Sequence, residues 1–257
     1  MNGRTIGILG VGAIGSSVGL RARRSGARVL GADIRDDALS EAMAIGAIDE
    51  AVGASHLAAC VEMLVIALPL EPTLRELERL AKVPHLLPAL IVDVSAVKVV
   101  VARAAEGVER FVGTHPMAGT ERSGPAAARE DMFEGRTWAL VPSGDQPLDD
   151  RARTFIESMG ATPFEVSAED HDRAVALTSH APQIIAWCLA DAIRSEGAVA
   201  ERLCGPVARE LLRIAQMDVE KWRDVLSANA DNLKPRLRAL ASRLDAAAGA
   251  LKKGPYS

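Results

Sequence analysis

The sequence predicts a mostly parallel α/β sheet domain followed by an all-helical domain, and three observations predict it. Short runs rich in apolar and β-branched residues recur through the first 166 residues, spaced widely enough for a helix between neighbours. A glycine-rich hexad follows the first of these runs. Beyond Val166 no convincing strand remains, and the last ninety or so of the 257 residues read as helix. The chain therefore divides into residues 1–166 and 167–257.

The strand-like runs are Thr5–Leu9, Arg28–Ala32, Met63–Leu68, Ala89–Val94, Arg110–Thr114, Trp138–Val141 and Pro163–Val166. Ser167-Ala168-Glu169-Asp170 then has the form of a capping box that starts a helix. The stretch from His171 to Glu196 is long enough for seven turns and apolar over much of its circumference, which predicts a buried central helix for the second domain. Gly197 and Gly205-Pro206 break the chain after that helix. From Leu226 onward, Leu226, Leu233, Leu237, Leu240, Leu244 and Leu251 fall at heptad-like spacing, broken only by Pro235. Such a ridge needs a partner surface, either its own domain or, as the favoured expectation, a second copy of the chain.

Composition removes several function classes. No apolar run reaches membrane-spanning length without charge, and Met1-Asn2-Gly3-Arg4 leads straight into a strand, so the expectation is a soluble, cytoplasmic protein. Cys60, Cys188 and Cys204 lie far apart, without a Cys-x-x-Cys pair, which indicates neither a disulfide framework nor a metal site and predicts small buried thiols. The net charge of −4 contains no basic block, and aromatic residues at 3% are too sparse for base stacking, so no nucleic-acid partner is expected.

Gly10-Val11-Gly12-Ala13-Ile14-Gly15 lies between the first strand and a helix-like stretch. In that context Gly10 permits the tight turn, Gly12 lets the backbone approach a pyrophosphate, and Gly15 allows close helix–sheet packing, while the helix N-terminus presents free N–H groups. Asp33, ending the second strand, is placed to accept hydrogen bonds from an adenosine ribose and to repel a 2′-phosphate. NAD is the expected cofactor, with Arg35 leaving NADP as the alternative. The segment Gly113-Thr114-His115-Pro116-Met117-Ala118-Gly119-Thr120-Glu121 reads as a strand end and a tight turn carrying one of only five histidines, where a general base would sit. A dinucleotide and a base together point to a dehydrogenase.

Further runs carry a resemblance to a known family. Asp93-Val94-Ser95-Ala96-Val97-Lys98, the run from His115 to Gly124, His171-Asp172-Arg173 leading to Ser179-His180-Ala181-Pro182, and Arg213-Ile214-Ala215 leading to Trp222 and Asn229 stand in an order that resembles the prephenate and arogenate dehydrogenases of tyrosine biosynthesis. The resemblance implies a Rossmann-like domain, a helical dimerisation domain that makes a homodimer, and an active site in the cleft between them. It implies that His115 takes the proton of the substrate ring hydroxyl, with Ser95, Glu121 and His180 as further catalytic residues. Thr120, Ser179, Gln183 and Arg213 fall to the substrate, Arg213 by forking onto a carboxylate. Leu68 and Pro69 join Gly10, Gly12, Ala13, Ile14, Gly15, Asp33 and Arg35 at the cofactor.

Two positions depart from the family pattern. The serine that follows the fifth strand falls on Ala96, with Ser95 adjacent, and the second histidine of Ser-His-x-Pro-His is Gln183. Gln183 donates and accepts hydrogen bonds without charge, which suits the side chain of arogenate or of an analogue such as 4-amino-4-deoxyprephenate as well as prephenate. The enzymatic alternative is another two-domain reductase, a β-hydroxyacid dehydrogenase or pyrroline-carboxylate reductase; the non-enzymatic one is a dinucleotide sensor that has lost catalysis. His171, beside Asp172 in the first turn of its helix, is explained by a structural cap at least as well as by function, and His56 and His85 read as surface residues.

Overall fold

The computed structural model describes residues 3–119 and 122–251, which form two compact units, Met1–His171 and Asp172–Ser257. The first unit runs β1 (Thr5–Leu9), α1 (Ala13–Arg24), β2 (Arg28–Ala32), α2 (Asp36–Ala44), β3 (Glu50–Ala51), α3 (Ala54–Leu57), β4 (Met63–Ile66), α4 (Leu70–Leu80), β5 (Leu90–Asp93), α5 (Val99–Ala104), β6 (Phe111–Pro116), β7 (Thr137–Val141), α6 (Gln146–Ser158) and β8 (Thr162–Glu165). The eight strands form one sheet in the order β3-β2-β1-β4-β5-β6-β7-β8, parallel throughout except for the β6–β7 pair. The order reverses direction between β1 and β4, the kind of switch point at which α/β sheets open a crevice beyond their strand ends. α1 lies close to the sheet because its buried face is built from small residues: Gly15, Ser16, Ser17, Gly19 and Ala22, with Val18.

The seven strand-like runs of the sequence are all strands, and β3, two exposed residues without an apolar signal, is the eighth. The largest difference is at β6, which continues two residues beyond the expected Thr114 to include His115 and Pro116. His115 is therefore on a strand and not on a turn. Proline ordinarily argues against strand because it has no N–H for the ladder. Here Pro116 is the last residue of β6, opposite Trp138, and the ladder is carried on by Met117 N–H to the Thr137 carbonyl at 2.9 Å.

β6 changes partner along its length. Phe111 and Val112 pair with β5, whereas Gly113 to Pro116 pair with β7. At the change, Asp93 at the end of β5 replaces the missing ladder with its side chain. Its Oδ1 accepts from Thr114 N at 3.0 Å, and its Oδ2 accepts from Ser95 N at 2.9 Å and from Lys98 Nζ at 2.5 Å. Lys98 also donates to the Thr114 carbonyl, and Trp138 Nε1 donates to Thr114 Oγ1 at 2.9 Å. The Lys98 and Asp93 side chains are 1% and 0% exposed, so this charge pair has no solvent to fall back on.

α7 (Ala168–Val175) carries the chain across the boundary at His171, and the second unit continues with a π-helical turn Ala176–His180, α8 (Ala181–Glu196), α9 (Ala198–Arg202), α10 (Pro206–Ile214), α11 (Val219–Ala228) and α12 (Ala230–Ala250). The expected long helix is present, widened at the π turn. Pro182 has no N–H to offer the preceding turn, and the wider turn accommodates its ring. Expected burial is reduced to one stripe: Ala181, Gln183, Ala186 and Ala190 are buried, while Ile185 and Cys188 are exposed. The leucine ridge divides as well. Leu226, Leu233, Leu237 and Leu240 join Ala176, Ala181 and Ile184 in a core of this unit, whereas Leu244 and Leu251 are exposed.

The cysteines also differ from expectation. Cys60, at the end of a short 3-10 turn, and Cys188, on the open face of α8, are exposed, and Cys204 is half-buried; all three are free thiols. Among the described helices none is long and apolar enough to cross a membrane.

Substituting Lys98 by Met should leave the Asp93 carboxylate buried without its counter-ion and lower the unfolding free energy by about 3–5 kcal/mol. Chemical denaturation measures this, and the double change Lys98→Met with Asp93→Asn should recover part of the loss. Equal stability of Lys98→Met and the unmodified protein would show that the pair does not hold β5 to β6.

Candidate active site

The carboxyl ends of β1, β2 and β4 converge on the glycine loop. Gly10 has φ +96°, and a Cβ built there would stand 2.5 Å from the Ala67 carbonyl oxygen. A Cβ on Gly15 would stand 2.0 Å from the Gly10 carbonyl oxygen. Gly12 differs: its backbone is extended at φ −71° and ψ −165°, and its built Cβ meets no atom within 4 Å. The first and third glycines are thus demanded by the protein itself, and the second leaves open space at the head of α1, where Ala13 and Ile14 begin the helix.

Asp33 completes this edge. Its Oδ2 accepts from Val11 N and its Oδ1 from Arg35 N, both at 3.0 Å, so the carboxylate is tied to the glycine loop and retains lone pairs for hydroxyl donors. Arg35 is exposed, 3.9 Å from Asp37. Leu68 and Pro69 follow β4, where both carbonyls accept from Thr73 Oγ1 and Pro69 caps α4. This cradle fits a dinucleotide: room at Gly12, the N–H groups at the head of α1, and an acceptor at the end of β2.

His115 is half-buried on β6, opposite Ala139 of β7 and next in the strand to Thr114, where the Asp93–Lys98 cluster ends. Its Nδ1 is 2.9 Å from Nε2 of His171, with the rings edge to face at 5.1 Å between centroids. His171 is 3% exposed. Ser95 is buried, and its Oγ has no hydrogen-bond partner among the described residues, while Ala96 is half-buried. Thr120 and Glu121 lie outside the described residues.

In the second unit, Ser179 and His180 occupy the π turn. Asn229 fixes the histidine. Its Nδ2 donates to the Asp172 carbonyl at 2.7 Å, which settles the orientation of the amide, and the same nitrogen is 3.2 Å from His180 Nδ1. His180 Nδ1 must then accept, so the neutral ring carries its proton on Nε2. Trp222 packs edge-on to the same ring at 5.8 Å. Gln183 is buried and donates through Nε2 to the Ile214 carbonyl at 3.1 Å, which leaves its Oε1 as an acceptor. Arg213 is exposed on the last turn of α10, and its Nε and Nη2 fork onto Glu210 at 3.0 and 2.7 Å. Those hydrogen bonds hold the Glu210 carboxyl below the usual carboxylate range. A solvent-exposed pair of this kind is worth little and can be exchanged for another carboxylate.

Sequence reasoning named Asp93, Lys98 and Asn229 in the motif runs without giving them a role, and left His171 between a structural cap and function. A lysine five residues after an aspartate that ends a strand was the available signal for the buried pair. Nothing local distinguishes His171 from a helix-cap residue, because its partner is 56 positions away.

Family comparison agrees with this geometry. The model for the prephenate dehydrogenase nucleotide-binding domain matches residues 18–163, and that for the prephenate dehydrogenase dimerization domain matches residues 167–256. The chain belongs to the prephenate dehydrogenase family. It is 34% identical over 247 residues to prephenate dehydrogenase of Bacillus subtilis, covering 90% of this chain and 66% of that protein. The chain thus spans about two thirds of the length of that relative. Among solved structures, prephenate dehydrogenase from A. aeolicus in complex with hydroxyphenyl propionate and NAD+ is similar at a TM-score of 0.85 and 25% identity, covering 98% of this chain and 92% of that one. Synechocystis arogenate dehydrogenase has a TM-score of 0.78 and 27% identity, covering 96% and 92%.

The glycine loop of this family member yields a paired test. Gly10→Ala should destabilise the fold by about 1–3 kcal/mol, since its side chain meets backbone in a left-handed conformation. Gly12→Ala should change stability by no more than about 0.5 kcal/mol and weaken binding of a reduced dinucleotide at least about tenfold. Thermal unfolding and fluorescence titration with NADH measure the two effects. Unaltered affinity in Gly12→Ala would remove the glycine loop from the nucleotide site.

Proposed function

We propose that this chain catalyses the NAD-dependent oxidative decarboxylation of prephenate to 4-hydroxyphenylpyruvate, acting as a homodimer. The observation that carries the proposal is His115, a strand-borne imidazole whose Nδ1 is engaged by His171, which gives the work of proton acceptor to Nε2. NAD, when bound, supplies the acceptor for the hydride that leaves ring carbon C4. The glycine loop and Asp33 hold the dinucleotide, with Arg35, Leu68 and Pro69 beside it. The carboxylate of Asp33, at the end of β2, disfavours a 2′-phosphate and makes NAD the better cofactor.

His115 Nε2 takes the proton from the C4 hydroxyl as that carbon becomes a ketone. The ring then loses carbon dioxide from C1 and becomes aromatic, and the resulting phenolate oxygen recovers a proton, so the proton balance closes. Aromatisation makes the sequence irreversible. Ser95 Oγ, buried and without a partner among the described residues, is available to the ring hydroxyl in place of the missing hydroxyl at Ala96. Arg213 exchanges Glu210 for a substrate carboxylate, with Thr120 and Ser179 beside the substrate and Glu121 orienting the polar network. His180, fixed as an Nε2 donor, offers a hydrogen bond to a substrate oxygen.

Gln183 favours a second substrate. With one amide N–H given to the Ile214 carbonyl, the amide oxygen is left as an acceptor, which suits the ammonium of arogenate. Production of reduced nicotinamide, followed by absorbance with purified protein, NAD and either prephenate or arogenate, tests both. Turnover of neither compound would overturn the proposal.

His115→Asn should reduce turnover by about 10²–10⁴-fold while leaving NADH affinity nearly intact, since it removes general-base assistance alone. Near-normal turnover at neutral pH would end the base assignment. Gln183→His should shift the kcat/KM ratio towards prephenate by about one to two decades, the value of one or two hydrogen bonds to a charged group. An unchanged ratio, with both substrates turned over, would show that position 183 does not read the side chain.

A further inference from the structure

His171 engages His115 Nδ1 but exchanges no atom with the substrate in the proposed reaction, and it is one of the few polar side chains in the first unit that are almost wholly buried. Its position is well fixed. Ser167 Oγ caps α7 by accepting from Asp170 N at 3.1 Å, and the Ser167 carbonyl accepts from His171 N at 2.9 Å, so the ring is carried on an anchored first helical turn. Its partner is equally constrained, because the backbone of His115 is held in the β6–β7 ladder. The ladder leaves two things to be settled at His115: the rotation of the ring and the choice of which nitrogen carries the proton.

A 2.9 Å contact between two imidazole nitrogens requires one protonated and one bare nitrogen. If His171 donated from Nε2, His115 would accept at Nδ1 and would carry its own proton on Nε2, where it could not act as a base. If His115 donates from Nδ1, its Nε2 is bare and His171 Nε2 accepts. We infer that His171 is the positioning residue of His115: by accepting from Nδ1–H it selects the tautomer with a bare Nε2 and holds the ring in one orientation. This inference rests on the reading of His115 as the base.

The consequence extends through the proton transfer. Once Nε2 has taken the hydroxyl proton, His115 is a cation, and its Nδ1–H bond to the neutral acceptor becomes charge-assisted and stronger. His171 therefore stabilises the protonated ring as well as orienting the neutral one. A neutral imidazole does this without adding a carboxylate's charge. Among charged groups on the elements that carry the two rings, Asp93 and Lys98 neutralise one another at Thr114, Arg122 follows β6 in sequence, and Glu169, Asp170, Asp172 and Arg173 are on α7 with His171. All are retained in both variants of His171 that test the inference.

The test combines ring-nitrogen chemical shifts with turnover. In protein labelled with 15N-histidine, and with His115→Asn used to assign the signal, His115 should carry its proton on Nδ1 above neutral pH. His171→Ala should convert it to a mixture of tautomers. His171→Gln, whose amide oxygen can reach the place of Nε2, should keep the Nδ1–H form. In turnover, His171→Ala should lower kcat by about 10–100-fold with the KM for NAD little changed, and should move the acid limb of the rate profile to lower pH. His171→Gln should restore most of the rate and the position of that limb. A merely structural histidine would make the two variants alike and leave the limb in place. A proton on Nε2 of His115 in the unmodified protein, or a His171→Ala variant with unaltered kcat and acid limb, overturns the inference. Absence of turnover with both prephenate and arogenate overturns the proposed reaction instead, and the nitrogen shifts then decide the pairing by themselves.

Discussion

The buried pair of Asp93 and Lys98 is the constraint on which the His115 side of the first unit depends. Two ions withdrawn from water are tolerated only where every remaining hydrogen-bonding position is met. Here the carboxylate receives Thr114 N, Ser95 N and Lys98 Nζ, while the ammonium also meets the Thr114 carbonyl. The backbone carbonyl of Asp93 accepts from Thr114 Oγ1, which in turn accepts from Trp138. One side chain at the end of β5 thereby joins the following loop, β6 and β7. β6 can continue where β5 stops, and His115 is held beyond the point at which the parallel ladder gives out.

Much of the architecture was legible in the sequence because it is repetitive. A sheet covered by helices needs an apolar run for each strand, and those runs identified seven of eight strands to within about two residues. The glycine hexad was legible for a different reason. Gly10 and Gly15 face atoms of the protein that no side chain could share space with, so their identity records local geometry. The features that escaped are non-local. His171 and Asn229 look ordinary in sequence and acquire meaning from partners 56 and 49 residues away. His115 was misplaced onto a turn because Pro116 conceals a strand end whose support comes from β7.

The second unit shows the same limit from the side of packing. Periodicity located its helices but not which apolar positions face one another within a chain. Part of the leucine ridge is spent on the core around the π turn, and Leu244 and Leu251, with Leu203, Val207 and Val219, stay exposed. Four buried polar side chains among the described residues, Asp172, His180, Gln183 and Asn229, take space that apolar residues would fill in a purely structural bundle. A small core with that content is poorly suited to stand alone, which agrees with the dimerization-domain family to which residues 167–256 belong.

The way Trp138 anchors β7 has a consequence for sequence change in the connection between β6 and β7. Side chains alternate along a strand, so a slip of one residue between these two strands would turn the His115 ring to the opposite face of the sheet. In a hairpin with a short turn, loop length sets that alignment. Here the indole, fully buried and bonded to Thr114 Oγ1, sets it from within the ladder. The alignment of His115 then depends on a buried side chain of β7 and not on the length of the connection, even though Met132 and Phe133 within that connection are themselves packed in the core.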